Sequence, residues 1–430
     1  MSSAWPPGRT FWTDTFPDST NDRTRPFLFK GIVPADAACA DDVLDGLKAM
    51  RRAHAAGTTH AARARVYVGE GRHDELIDTV LTKDGWDEGA FVPWMQSLAG
   101  ADKFSLVINN LETVSPRLAA GLGAFLGSLH EGWGVPIGGS EQVAFAGNYA
   151  GTAFGVHEGA EDAFLIHLGP GTKLFYCWSA ETYVRLTGSK EPVLGDYQHL
   201  LEHGECFVLE PGDALFLPRR VFHVGMQQDT FSVSVATALY TFPVDRVLRL
   251  SVLPKLLDAV LDESTDGIFG KPSPMHAAGD GSAPAARCLT ERAHAALDTI
   301  GRQLESAIAE HVENLWESTR SNGGWEPLGN DLARMQAADA FRPEEVLPGA
   351  TVSIPAPYQL RVTGAQQAFL RGTAVNCGTS PLTPDLVATL NAGAPYVLPH
   401  NGALRSAIIA LGATGGILLS PDTTPSEAAA

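Results

Sequence analysis

Between residues 140 and 240 the chain is cut into short apolar or alternating runs, and this rhythm constrains the fold more than any other feature. The runs are "QVAFAGNY" (142–149), "DAFLIHL" (162–168), "KLFYCW" (173–178), "ECFVLE" (205–210), "DALFLP" (213–218) and "FSVSVATALY" (231–240). The turn formers "GPGT" and "PGD" interrupt the series. Strands this short satisfy their backbone only by pairing with one another, which predicts a β-sandwich or barrel. At 430 residues the chain exceeds one ordinary core, so two or three domains are expected.

The flanks read differently. Residues 1–26 are rich in Pro, Ser, Thr and Asp and predict an irregular lead-in. Val43, Leu44, Leu47 and Met50 fall on one helix face, as do Leu118, Leu122 and Leu126. For the second of these helices Ser115 is the expected N-cap and Pro116 the first helical residue. A Gly/Pro/Ala/Ser-rich stretch at 266–286 predicts a linker, and Leu289, Leu297, Ile300, Leu304, Ile308, Val312 and Leu315 mark a long amphipathic helix. Its length suits helix-on-helix packing, either within the chain or across a homodimer. Near the end, "TPDLVATLNAG" has Thr383 as N-cap and Gly393 as a stop, and a helix, turn and strand follow. The expected divisions are 1–26 lead-in, 27–255 β-rich catalytic domain, 256–322 linker and helical segment, and 323–430 a winged-helix-like α/β unit.

Charge and composition exclude several classes. A formal net charge of −18 repels phosphate backbones, so nucleic acid is not an expected partner. No apolar run is long enough for a membrane span, and the first residues lack a basic flank followed by an apolar stretch. A cytoplasmic location is the resulting expectation. The five cysteines are scattered without a CxxC pair, which suits free thiols and no zinc finger. HExxH is absent as well, so no zincin motif is present.

Chemistry enters at "FGVHEGAEDAF" (154–164). In an extended strand residues i and i+2 face one side, so a His-x-Asp/Glu step offers an imidazole and a carboxylate to one metal. A second histidine from a distant strand completes a two-His-one-carboxylate face with open positions for oxygen and co-substrate. His157 supplies the first imidazole. His223, just past the apolar strand of "EPGDALFLPRRVFHVG", is its natural partner. Both could instead be ordinary strand histidines, and His167 reads as a hydrogen-bonded core residue before it reads as a cavity residue.

Those two stretches, together with "LGPGTKLFYCW", resemble the JmjC/cupin-type Fe(II)/2-oxoglutarate oxygenases, with the ribosomal-protein hydroxylase branch closest. The resemblance is specific over about 142–240. It implies a double-stranded β-helix, a helical dimerisation region and a C-terminal winged-helix-like domain. It also implies that His157 and His223 hold Fe(II), that Lys173 binds the distal carboxylate of 2-oxoglutarate, and that Tyr149 adds a hydrogen bond to that co-substrate. The implied substrate is a peptide, protein or amino-acid side chain, hydroxylated at an unactivated C–H bond.

The departure is Gly159, where the family carries its carboxylate. Glu158 points to the opposite face of a regular strand, whereas Glu161 and Asp162 reach the metal only if a bulge re-aims the chain. Three readings follow: Glu161 is the third ligand of a hydroxylase, chloride fills the vacant position of a halogenase, or the protein is a non-catalytic cupin-like binder. Arg219 and Arg220, just before His223, are candidates for a substrate carboxylate, with a solvated pair as the alternative.

Overall fold

The computed structural model describes residues 5–420 apart from 70, 84, 87–90, 150, 153, 227–230, 262–274, 276, 278 and 280. Twelve strands build two antiparallel sheets: β1 (Phe27–Phe29), β2 (Arg63–Val68), β3 (Gly71–Arg72), β4 (Phe104–Asn109), β5 (Ser140–Gly147), β6 (His157–Glu158), β7 (Asp162–Gly169), β8 (Lys173–Trp178), β9 (Glu205–Leu209), β10 (Ala214–Leu217), β11 (Phe222–Met226) and β12 (Ser232–Leu239). The large sheet runs β1-β10-β7-β12-β5-β4-β2-β3 and the small one β6-β11-β8-β9. From β5 onward the chain winds between them: β5, β7, β10 and β12 lie in the large sheet, and β6, β8, β9 and β11 in the small one. That winding is a double-stranded β-helix.

Side-chain alternation then decides what each strand shows to the interior. On β7, Phe164 and Ile166 join the core on the helix side of the large sheet, while Leu165 joins the cluster between the sheets. On β8, Phe175 and Cys177 turn inward with Leu209, Leu215 and Leu217. On β11, Phe222 and Val224 pack outward with Trp178, Tyr183 and Leu200, which leaves His223 between them on the inner face. Large side chains cover both outer faces, so the inner face can carry polar groups without losing the core.

The six strand-like runs correspond to β5, β7, β8, β9, β10 and β12. Two short strands escaped the reading. β6 has two residues, too few to show alternation, and His223 sits within β11 rather than past a strand end. β2 and β4 also extend the large sheet beyond the expected segment; β4 is buried along nearly its whole length and therefore does not alternate. The lead-in is not irregular throughout. Phe11–Thr15 and Phe16–Thr20 are helical, and Trp12 and Phe16 enter an aromatic cluster with Phe125 and Phe164. The helix Pro116–Gly132 begins where expected, but Ser115 does not cap it: its hydroxyl donates to the Asp42 carbonyl instead (2.8 Å).

By internal contact the chain divides into two units, Met1–Thr241 with Glu317–Ala430, and Phe242–Trp316. In the first, residues after 330 add helices Leu332–Ala340, Pro384–Asn391 and Gly402–Gly412 and two small antiparallel sheets around Val352, Leu386, Leu390, Ile408 and Leu411. Thr383 caps its helix, accepting from the Leu386 N–H. This is the winged-helix-like α/β arrangement. In the second unit, the long helix Ala283–Ser321 meets the helical stretch 244–261: the Ser251 hydroxyl lies 2.8 Å from His311 Nε2, and Arg292 donates to the Val260 carbonyl. Helix packing within the chain is therefore present, and Leu253, Leu257, Leu289 and Leu297 remain exposed. Most of the expected linker at 266–286 lies outside the described residues, and its last four residues are already helical.

Trp12 is 2% exposed, and its indole N–H donates to Ser128 Oγ (2.7 Å). Trp12→Ala is expected to lower unfolding free energy by roughly 3–5 kcal/mol in urea titration. A loss below about 1 kcal/mol would mean that the lead-in only drapes over the domain.

Candidate active site

The β-helix interior opens into a cavity of about 360 Å³. Val143 and Phe145 from β5, Lys173 and Phe175 from β8, His223 and Gly225 from β11 and Ala236 and Ala238 from β12 line it, with Phe154, His157, Gly159 and Glu161 from the β6 region. The inward alternation of four strands thus produces a mostly apolar chamber with few polar groups, the usual composition of a small-molecule site.

His157 and His223 face each other across the β6–β11 ladder as register partners, with ring centroids 4.5 Å apart. Each Nδ1 lies 3.1 Å from a backbone carbonyl, Gly155 O for His157 and Val221 O for His223. A carbonyl only accepts, so each Nδ1 carries the proton and each Nε2 keeps its lone pair. Burial pushes His223 down to about 3, reinforced by the neighbouring His157, and burial likewise lowers His157. Both rings are therefore neutral at neutral pH, the form in which imidazole binds a metal. Phe175 stacks on His223 at 5.4 Å, and Phe154 sets its ring 5.7 Å from His157.

No carboxylate completes the pair among the described residues. Among the described residues no three His, Cys, Asp or Glu side chains gather closely enough to hold a metal ion. Glu161 lines the cavity from the bend between β6 and β7 without joining His157 and His223 in such a group. Glu158, expected to face away, borders the cavity too. A Cβ placed on Gly159 would lie 3.2 Å from His223 Cε1, so a side chain here would project at the histidine pair. The donor set fits a divalent metal held by two protein imidazoles, with its remaining positions left to other ligands.

Lys173 is the other polar feature. It is 1% exposed, its ammonium donates to Tyr149 Oη (2.8 Å) and Ser234 Oγ (3.3 Å), and no carboxylate pairs with it among the described residues. The Ser234 hydroxyl in turn bonds His167 Nδ1 (3.0 Å), and His167 Nε2 reaches the Gly171 carbonyl (3.0 Å). That carbonyl fixes the proton on Nε2, so Nδ1 accepts from Ser234, whose oxygen is left to accept from Lys173. His167 is thus both on the inner face and fully hydrogen-bonded. Gly225 makes room for the lysine, because a Cβ there would stand 3.0 Å from Lys173 Cε.

Tyr149 braces the lysine from outside the cavity lining. Arg219 and Arg220 do not line the cavity either; the Arg219 side chain donates to the Thr241 carbonyl (3.3 Å), and Arg220 is exposed. Sequence reasoning missed Ser234, Gly225 and the aromatic walls. The alternation of "FSVSVATALY" was the available signal for Ser234, since it puts Ser232, Ser234 and Ala236 on one side.

Residues 140–243 match the model of the JmjC domain. No curated protein matches the chain in sequence. Two solved structures of YcfD from Escherichia coli, one described as a ribosomal oxygenase, are similar. One has 15% identity and a TM-score of 0.51, covering 94% of this chain and 98% of that one. The other has 14% and 0.50, covering 94% and 97%. Residues 140–243 therefore carry a JmjC domain. Over most of its length the chain is similar in architecture to these two YcfD structures, a likeness of fold alone.

Because both imidazoles are already neutral, protons do not compete for them until the pH approaches their lowered pKa values. Co(II) affinity, read by calorimetry, is expected to change less than about threefold between pH 7.5 and 6. A fall of tenfold or more would contradict the lowered values.

Proposed function

We propose that the protein is an Fe(II)- and 2-oxoglutarate-dependent oxygenase that hydroxylates an unactivated C–H bond on a peptide, protein or amino-acid side chain. The observation that carries this reading is the buried Lys173 ammonium, which has no anionic partner among the described residues and lines the same cavity as two metal-ready imidazoles. Burying a cation without a counter-charge costs several kcal/mol, and a dicarboxylate co-substrate removes that cost when it binds. Lys173 would hold the far carboxylate by a charge-assisted hydrogen bond, with Tyr149 and Ser234 fixing its direction. His157 and His223 would hold the iron through Nε2, their Nδ1 protons anchored on the Gly155 and Val221 carbonyls. Bound iron would supply the oxygen activation needed to break the C–H bond. Phe145, Phe154 and Phe175 wall the cavity and keep bulk water from the reacting atoms. The ribosomal-oxygenase description of YcfD favours a protein side chain as substrate.

Gly159 supports a second reading. With no carboxylate projecting toward His223, a halide could occupy the metal position that the glycine leaves, and the product would be chlorinated. Chloride dependence separates the two, since a hydroxylase makes the same product with or without the halide.

Purified protein given Fe(II) and oxygen is expected to convert 2-oxoglutarate to succinate. His157→Ala and His223→Ala should each reduce this at least about 100-fold. Gly225→Ala, which crowds Lys173, should raise the KM for 2-oxoglutarate about tenfold while Co(II) binding stays unchanged. Wild-type protein that neither binds iron nor forms succinate would leave only the cupin-like binding role.

A further inference from the structure

Beside the catalytic cavity the large sheet continues through β4 and β2, and a second hollow of about 590 Å³ opens there. His60, Arg63, Arg65, Arg72 and Asn109 line it, with apolar residues of the adjoining helices. We propose that this groove binds a carboxylate-bearing segment of the polypeptide substrate, next to the residue being modified. The inference rests on reading the protein as an oxygenase that acts on a polypeptide.

Three observations carry it. The first is charge. Arg72 is held by Asp74 (2.6 Å), and Arg65 gives one N–H to Asn109 Oδ1 (2.7 Å). No carboxylate pairs with Arg63 or Arg65 among the described residues; Asp74 feels the charge of Arg65, and Glu326 that of Arg63. In a chain of net charge −18, two such arginines side by side on β2 are out of keeping with their surroundings. Arginine's planar fork matches a carboxylate in two parallel hydrogen bonds.

The second observation is continuity with the cavity. Arg65 pairs across the sheet with Val107, and Val107 with Phe145, which lines the catalytic cavity. The Arg65 guanidinium also lies 5.4 Å over the Phe154 ring, and that ring packs against His157. A ligand on Arg65 is therefore one aromatic side chain from the metal histidines. The third observation is an open edge. β3 covers β2 only at Tyr67 and Val68, so among the described residues the stretch from Arg63 to Arg65 has no strand on that side. An extended peptide can approach such an edge while its acidic side chains meet the arginines.

Two arginines without a carboxylate partner among the described residues match the charge of one or two carboxylates. A nucleic acid needs a longer basic stripe, and the remaining surface charge would repel it.

The test is fluorescence anisotropy on the full chain at low ionic strength, with a fluorescein-labelled Gly-Asp repeat peptide, its Gly-Asn counterpart and an oligo-dT strand. The Gly-Asp peptide is expected to bind about tenfold more tightly than Gly-Asn, and Arg65→Gln and Arg63→Glu should each remove most of that difference. Arg63 is exposed, so its variant tests the groove without disturbing the core. Equal affinity for the two peptides, unchanged binding in both variants, or tighter binding of oligo-dT would overturn the proposal. Peptide binding does not require turnover. Selective peptide binding without succinate formation would remove the oxygenase reading alone, whereas succinate formation without selective binding would remove the groove alone.

Discussion

A lysine ammonium buried inside a β-helix, with no carboxylate paired to it among the described residues, is the constraint on which the rest of the site depends. Lys173 rests on two hydroxyls, Tyr149 and Ser234, and hydroxyls only partly offset the loss of water around a cation. The surrounding strands are arranged to tolerate this. Gly225 leaves room for the lysine stem, and His167, proton fixed on Nε2 by the Gly171 carbonyl, keeps Ser234 turned so that its oxygen can accept. An anion arriving in the cavity completes what the folded chain leaves unfinished.

The histidine pair follows the complementary logic. Burial keeps both imidazoles neutral, and backbone carbonyls fix both tautomers, so the site waits for a cation while Lys173 waits for an anion. In the proposed reading, a metal chelated by a 2-oxo dicarboxylate would satisfy both demands at once. Gly159 would lower the negative charge offered to such a metal, and more of its coordination would then fall to the co-substrate and to small ligands.

Much of this was legible in the sequence, and the parts that were not share physical causes. The runs that became β5, β7, β8, β9, β10 and β12 announced themselves through apolar content and turn residues. β6 is too short to alternate, and β4 is buried on both faces, so neither carries a period of two. Trp12 and Phe16 stand among Pro, Ser, Thr and Asp that mask their role in the core. At the site, His157, His223 and Lys173 stood out by spacing and family resemblance. Ser234 and Gly225 are small residues whose importance comes only from what they face. Arg219 drew attention by its place in the sequence, yet its side chain is engaged by the Thr241 carbonyl.

The central claim is that the cavity recognises the far carboxylate of a 2-oxo dicarboxylate. Its most direct test is calorimetric titration of the Co(II)-loaded protein with 2-oxoglutarate and with 2-oxopentanoate, which keeps the chelating end and lacks the far carboxylate. The account predicts that 2-oxoglutarate binds about 100-fold more tightly, the size of a charge-assisted hydrogen bond to a buried ammonium. Equal affinities would contradict it.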